Sequence, residues 1–444
     1  MKAVIMAGGM GTRLRPICDE MPKPMTRLLG KPLLEHLIEL LKKNGFNELC
    51  ITLAHKPEYI KEYFGDGKNF DVSIEYRVEE NPLGTAGGVR ACMDFVGGED
   101  FLVISGDAAC DFDLKKLFSE HGIHGGLITM ALYPHPEPLR YGTVITDRKG
   151  KVVSFIEKPS WEKVVTDLVN TGVYIVSPKA MELVPEGKPY DFARDLFPHL
   201  TAEGCIIGIP MEGYWCDIGD AKSYHQSCMH ALDGRLKLSP FRRSASVFSN
   251  LKAFEWPQIF PPSLICQGAI IEKGAVIEHS IIHAGSKIGA YSRIINSVID
   301  GGDVGKNCHI EGSVVCKGAT LPPHSITRFG DIVSQGCISK AAAPASAATE
   351  PRQARGLCRE LACTDRARLM REMSYALWEA GADFSDGINI SDGKCKIRIS
   401  PLPEESAITI EAMGGGENER LAMCKKYSKL AEKFGGKNAS TNIH

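Results

Sequence analysis

A mostly parallel α/β domain, followed by a short parallel β-helix and a small α+β unit, is the fold that these 444 residues predict. Three observations point to it. Strand-like and helix-like patterns alternate over residues 1–230, which argues for a sheet covered by helices on both faces. A six-residue period runs through 271–310, the mark of a solenoid. An Ala/Pro-rich stretch at 340–351 sets off the last unit, as linkers of that composition do. At about 150 residues per domain, the length itself allows about three domains.

In the first part, apolar runs predict strands at 2–7, 49–54, 72–78, 101–106, 126–133, 141–146, 152–156 and 171–177. A helix is expected over 32–44. Pro32 suits its first turn, and Leu33, Leu37, Leu40 and Leu41 line one face. Lys42 and Lys43 suit its end, before Asn44-Gly45. A further helix is expected over 219–232. In the second part, Ile271–Ile277, Ile288–Ile294 and Val304–Ile310 share one plan. Aliphatic residues stand six apart, with a small residue (Ala275, Ser292, Cys308) between them. Each flat side of a prism would turn an aliphatic inward, and the small residue would fit the corner. The exposed ends of so short a solenoid make it a candidate assembly surface. In the last part, helices are expected over 365–381 and 417–434, with strands near 386–390, 395–400 and 407–412.

Composition narrows the function. The chain is 43% hydrophobic and 24% charged, with a net charge of -2. No broad basic surface argues for nucleic acid, so anion binding must be local. No run of about 18 apolar residues argues for a membrane span, and no signal peptide is expected. The 15 cysteines show neither Cys-x-x-Cys nor zinc-like spacing. A cytoplasmic protein with reduced thiols is expected.

The residues that speak to chemistry begin at the first strand. Ala3–Ala7 runs into Gly8, Gly9 and Gly11, and Arg13 and Lys23 bring two cations to the same place. Glycines let a backbone approach a ligand closely, and a strand, a glycine turn and fixed positive charge suit phosphates. The pattern is neither a Walker loop nor a dinucleotide fingerprint. Gly-Gly-x-Gly-Thr-Arg-Leu-x-Pro followed by Lys-Pro resembles the sugar-phosphate nucleotidyltransferases, which make NDP-sugars. Further elements follow in that family's order: Pro-Leu-Gly-Thr-Ala (82–86), Ser-Gly-Asp (105–107), Glu-Lys-Pro (157–159), Asn-Thr-Gly (170–172) and Trp-x-Asp-x-Gly (215–219).

The resemblance implies a Rossmann-like nucleotidyltransferase catalytic domain at 1–232. A connector (233–262), a left-handed β-helix (263–339), the linker (340–354) and a tail (355–444) would follow. It implies that Gly8, Gly9, Gly11 and Thr12 cradle an NTP, with Arg13 and Lys23 as catalytic cations and Arg15 a further candidate. Leu83, Gly84 and Thr85 would read the base. Asp107 and Asp217 would hold magnesium. Gly142, Glu157, Lys158, Asn170 and Thr171 would bind the sugar phosphate. A lone Glu–Lys pair is usually a surface ion pair of little worth; four elements in family order argue otherwise here. Asp113 is expected to cap the helix after it, Asp111 is left open, and Asp191 and Phe192 are expected to be structural.

The tail resembles the last domain of phosphohexomutases through Ser385–Ile390, Ile397–Pro401 and Ile408–Ala412. The mutase phosphate loop is replaced here by Arg398-Ile-Ser-Pro-Leu-Pro-Glu-Glu, and the mutase phosphoserine and metal loops have no counterpart. Mutase activity is not expected; a remnant, a docking module for a separate mutase, or a stabilising cap all remain open. The expected reaction joins an NTP, most like GTP, to a sugar-1-phosphate, most like mannose-1-phosphate, within a homo-oligomer. The alternatives are a glucose-1-phosphate thymidylyl- or uridylyltransferase, or a non-catalytic regulatory subunit that binds NDP-sugar.

Overall fold

A computed structural model describes residues 1–238, 256–335, 337–340, 357–391, 393–403 and 405–443. Residues 239–255 of the expected connector and 341–354 of the expected linker lie outside the described residues. The chain forms two compact units, Met1–Lys116 with Glu212–Pro344, and Leu117–Met211 with Ala345–His444. This grouping cuts across the linear boundaries expected from sequence.

In the first unit, the strand Lys2–Met6 pairs in parallel with Glu48–Leu53 and with Phe101–Ser105, and Glu48–Leu53 pairs in parallel with Ser73–Val78. Ala3, Val4, Ile5, Leu49, Ile51, Val103 and Ile104 are wholly buried. Their unbroken apolar runs reflect burial on both faces, as crossover helices require. The helix Leu33–Lys43 buries Leu33, Leu34, Leu37, Ile38 and Leu41. Pro32 is its N-cap, one position earlier than expected, and Leu40 is half-buried. Asn44 ends this helix through its amide on the Leu40 carbonyl (2.9 Å), and its Oδ1 accepts the Leu114 N–H at 3.0 Å.

The β-helix stacks three parallel ladders. One joins Ile277, Ile294 and Ile310; another Ile271, Ile288, Val304 and Leu321; the third Ile281–Ile282, Val298–Ile299 and Val314–Val315. Adjacent residues of the third ladder part company. Ile282, Ile299 and Val315 fill the prism, whereas Ile281, Val298 and Val314 join Leu14 and Tyr224 in the core outside it. A paired aliphatic at one side of each coil is how a two-sided strand reads. Ala275, Ser292 and Cys308 are buried as expected. The Ser292 hydroxyl donates to Gly305 O at 2.7 Å and accepts from Cys308 N at 3.0 Å. The helix Ala221–Leu232, capped by Asp220, lies between these parts. From it Tyr224 donates its hydroxyl to Arg27 O at 2.9 Å.

The second unit departs from a parallel sheet. Ile128–Pro134 pairs antiparallel with Leu168–Val176 and parallel with Ile206–Pro210, and Gly142–Thr146 pairs antiparallel with Val152–Glu157. The short connection between the last two strands leaves no room for a crossover helix. The tail contributes an antiparallel sheet ordered Ile388–Ser391, Cys395–Pro401, Ala407–Gly414, Leu357–Ala362 and Lys437–Ile443. The helices Arg366–Leu377 and Glu417–Lys433 pack on it. Of these, Leu357–Ala362 and Lys437–Ile443 were not expected. Lys-Asn-Ala-Ser-Thr-Asn-Ile (437–443) has no aliphatic alternation to announce it. Ile145 and Val165 share the core of Leu369, Met370, Ile388 and Ile397, so the tail and residues 117–211 are one body.

Candidate functional site

The glycine turn follows the strand Lys2–Met6. Of its three glycines only Gly11 has a positive φ, +64°. A Cβ there would stand 3.0 Å from Lys23 Cβ and 3.3 Å from Cys18 Sγ. Gly11 is therefore required both by conformation and by the approach of Lys23. A Cβ on Gly9 would meet nothing within 4 Å, so the fold does not demand that glycine. Leu14, wholly buried, anchors the turn and leaves Arg13 exposed.

Asp107 stands just beyond the strand Phe101–Ser105. Two three-residue strands, Ala108–Cys110 and Trp215–Asp217, pair antiparallel with Asp217 opposite Ala108. The Ile218 N–H donates to Asp107 O at 3.1 Å. This pairing brings the two carboxylates together, and Lys23, only 8% exposed, reaches both. Its Nζ pairs with Asp107 Oδ2 and lies 3.2 Å from Asp217 Oδ1. The Ser105 hydroxyl donates to Asp107 Oδ1 at 2.5 Å. The two carboxylate side chains keep 31% and 26% of their surface open.

The charges decide the protonation states. Burial pulls the Lys23 ammonium toward neutrality, but Asp107 and Asp217 outweigh it and its pKa is raised. Burial also opposes ionisation of Asp107, yet Lys23 and the Ser105 hydroxyl hold its carboxyl below the usual range. Burial, with the charge of Asp107 adding to it, pushes Asp217 up. One ammonium does not satisfy two carboxylates. Arg13 is close to the same place: a Cβ on Gly219 would lie 3.0 Å from Asp217 Oδ2 and 3.5 Å from Arg13 Nη2. Gly219 is thus the residue that lets them approach.

Leu83 caps the helix Gly84–Arg90, with Gly84 and Thr85 exposed at its start. A residue that sequence reasoning missed holds this corner. Glu79 accepts the Leu83 N–H at 3.0 Å, and burial raises its pKa. A Cβ on Gly88 would fall 2.5 Å from its carboxylate, and one on Gly8 3.7 Å. One glutamate of the Glu79-Glu80 pair after a strand carries no signal of its own in sequence. Arg15 is not part of the cluster; it is exposed and pairs with Asp19 at 3.4 Å. Asp111 accepts the N–H groups of Tyr214 (2.6 Å) and Lys237 (2.8 Å), a structural use. Asp113 accepts the Lys116 N–H at 3.0 Å as a helix cap.

The remaining candidates lie in the second unit. A Cβ on Gly142 would meet Phe155 Cζ at 2.5 Å and Glu157 Oε2 at 2.8 Å. Burial raises the pKa of Glu157, opposed by Lys158, whose Nζ is 3.8 Å away. Lys158 has φ +46° and donates its N–H to Tyr141 O at 3.1 Å. Asn170 Oδ1 accepts from Gly172 N (3.0 Å) and the Tyr174 hydroxyl (2.9 Å), which leaves its amide N–H groups to donate. The Thr171 side chain is buried and donates to Ala131 O at 2.7 Å, so its hydroxyl serves the fold rather than a pocket. Asp191 caps Phe192–Leu196 through Ala193 N and Arg194 N.

Among the described residues no group of three or more His, Cys, Asp or Glu could hold a metal ion, and no helix is long and apolar enough to cross a membrane. A cavity of about 500 Å³ between the helix Ala221–Leu232 and the β-helix, lined by His225, Met229, His230 and Phe329, includes none of the candidate site residues.

The profile of the family described as Nucleotidyl transferase matches residues 2–234, and that of GlmU-like, C-terminal hexapeptide matches 256–331. UTP--glucose-1-phosphate uridylyltransferase of Synechocystis sp. is 33% identical over 68% of this chain and 87% of its own length. Mannose-1-phosphate guanylyltransferase 1 of Arabidopsis thaliana is 30% identical over 73% of this chain and 96% of its own. Mannose-1-phosphate guanylyltransferase of Mycobacterium tuberculosis is 32% identical over 70% and 82%.

Proposed function

The chain belongs to the Nucleotidyl transferase family, and from that premise we propose that it transfers the nucleotidyl group of GTP to mannose-1-phosphate, forming GDP-mannose and releasing pyrophosphate. The observation that carries this reading is the meeting of Lys23, Asp107 and Asp217 at the end of the sheet, beside the Gly8–Thr12 turn. Two guanylyltransferases among the relatives support the choice of base and sugar. The uridylyltransferase relative supports a second reading, UTP with glucose-1-phosphate.

No covalent enzyme intermediate is needed, because an oxygen of the sugar phosphate attacks the α-phosphorus and the β-phosphate oxygen leaves with pyrophosphate. The protein's task is to position two polyanions and neutralise their charge. Amides of Gly8, Gly9, Gly11 and Thr12 would receive the triphosphate. Arg13, a planar fork, suits the leaving phosphates, and Lys23, a point charge, suits the α-phosphate. Lys23 would relax its hold on one carboxylate to do so. Asp107 and Asp217 fit a divalent cation such as magnesium: their oxygens meet at one nitrogen, both remain partly open, and Asp217 lacks enough positive charge to ionise freely. Bound there, the cation would supply charge neutralisation at the reacting phosphates. Leu83, Gly84 and Thr85 would face the base. Glu157 and the Asn170 amide would hold sugar hydroxyls, Lys158 the sugar's phosphate, and Gly142 would leave them room.

A cytoplasmic setting accords with 15 free cysteines, Cys50 and Cys92 lying 3.4 Å apart without a bond. Assembly of copies through the β-helix, and docking of a separate mutase on the tail, belong to the same proposal. The test is pyrophosphate release with magnesium, screening GTP, UTP, dTTP, CTP and ATP against mannose-1-phosphate, glucose-1-phosphate and N-acetylglucosamine-1-phosphate. Turnover confined to GTP and mannose-1-phosphate supports the first reading. Turnover confined to UTP and glucose-1-phosphate supports the second. Saturable NDP-sugar binding without turnover would favour a regulatory subunit.

A further inference from the structure

Within the second unit, the tail packs on the segment 158–167, which links the strand Val152–Glu157 to Leu168–Val176. That segment carries Lys158 at one end and leads to Asn170 at the other. It has little support of its own. A single turn at Trp161–Lys163 closes with the N–H groups of Lys163 and Val164 on the carbonyls of Ser160 and Trp161. Lys158 holds a left-handed backbone conformation that only its surroundings can enforce.

The Lys158 N–H is held by Tyr141 O, and the tail supplies the surroundings from Trp161 to Asp167. The Arg366 guanidinium lies over the Trp161 ring, 3.4 Å from its centre, while its N–H groups donate to the carbonyls of Leu402, Pro403 and Glu405. Gly387, at φ +76°, comes so close to Glu162 that a Cβ would stand 3.5 Å from the carbonyl oxygen. Val165 is buried in the tail's core. Arg371 makes a 2.8 Å ion pair with Asp167, whose side chain is 4% exposed. The Asp167 carbonyl in turn accepts the His135 N–H at 2.8 Å. A carboxylate this buried is costly without a cation beside it, and the cation comes from the tail.

We propose that the helix Arg366–Leu377 is a positioning element for the sugar-phosphate pocket of the second unit: it fixes the segment 158–167, and through it Lys158 and Asn170, without touching substrate. The proposal rests on the reading of Glu157, Lys158 and Asn170 as the acceptor pocket. It gives the tail a role that needs no mutase chemistry.

The test uses the full-length protein with R371M, D167N and R371K. R371M and D167N should each raise KM for mannose-1-phosphate about tenfold, the scale of a small misplacement, with kcat and the KM for GTP unchanged. R371K should restore most of the loss. Equal rises in both KM values, or no rise in either, would overturn the proposal. Hydrogen–deuterium exchange supplies a readout that needs no turnover. Peptides spanning 158–170 should exchange faster in R371M and D167N than in the unaltered protein, while peptides spanning 2–14 should not. If the unaltered protein turns over no sugar phosphate, the pocket reading fails, and the exchange result still decides whether the tail fixes the segment. Should R371M fail to fold, D167N, which keeps the side chain's shape, carries both measurements. Unchanged exchange at 158–170 overturns the proposal.

Discussion

Lys23 Nζ lies 3.2 Å from Asp217 Oδ1, across 194 residues of sequence, and is also paired with Asp107. One nearly buried ammonium thus holds together two carboxylates that would otherwise repel. Lys23→Met should lower stability by about 2 kcal/mol, less than the cost of breaking a fully enclosed pair, because both carboxylates stay partly open. Magnesium should then raise the melting temperature of Lys23→Met more than that of the unaltered protein, as a cation binding only the folded state must. Calorimetry with and without magnesium checks this; equal shifts would count against two carboxylates converging on one cation.

Gly11→Ala should cost about 1–2 kcal/mol from its left-handed backbone alone. Its Cβ would also press on Lys23 at 3.0 Å. Activity should therefore fall by more than the loss of folded protein accounts for. Initial rates at a temperature where the variant remains folded separate the two effects.

Gly142→Ala places a Cβ 2.8 Å from Glu157 and 2.5 Å from Phe155. The expected outcome is a raised KM for the sugar phosphate with the KM for GTP unchanged. Steady-state kinetics with each substrate varied in turn will show it.

The Asp167 carboxyl, pushed up to about 6 chiefly by burial and only partly offset by Arg371, makes stability depend on pH. Its folded pKa lies above its ordinary value of 3.8. The native state therefore binds the extra proton between about pH 4 and 6, and stability falls as pH rises through that window, by up to about 3 kcal/mol. Asp167→Asn should flatten this part of the profile. Urea midpoints at pH 4, 5, 6 and 7 for both proteins check it; an unchanged slope would contradict the assignment.

The first strand, the glycine turn, Lys23 and Asp107 were legible because apolar runs and motif spacing are local. The closeness of Asp217 was legible only through resemblance. The strands that place it, Ala108–Cys110 and Trp215–Asp217, are too short to show a period. Glu79 was invisible, since its role depends on the return of Gly88 and Leu83 to its carboxylate. The bond from the Thr171 hydroxyl to Ala131 O was not legible, because a motif names a position but not the side on which its hydroxyl is spent. The six-residue period was readable, and the adjacent aliphatic pairs Ile281–Ile282, Val298–Ile299 and Val314–Val315 also encoded the core outside the prism. The Arg371–Asp167 pair left no trace, because ion pairs between distant segments have no spacing.

The most direct test of nucleotidyl transfer is pyrophosphate release from GTP, magnesium and mannose-1-phosphate by the full-length protein and by Asp107→Asn. The account predicts release that depends on mannose-1-phosphate, reduced at least about a hundredfold in the variant while its fold is kept. Release undiminished in Asp107→Asn, or none from the folded, unaltered protein with any NTP and sugar-1-phosphate, would contradict it.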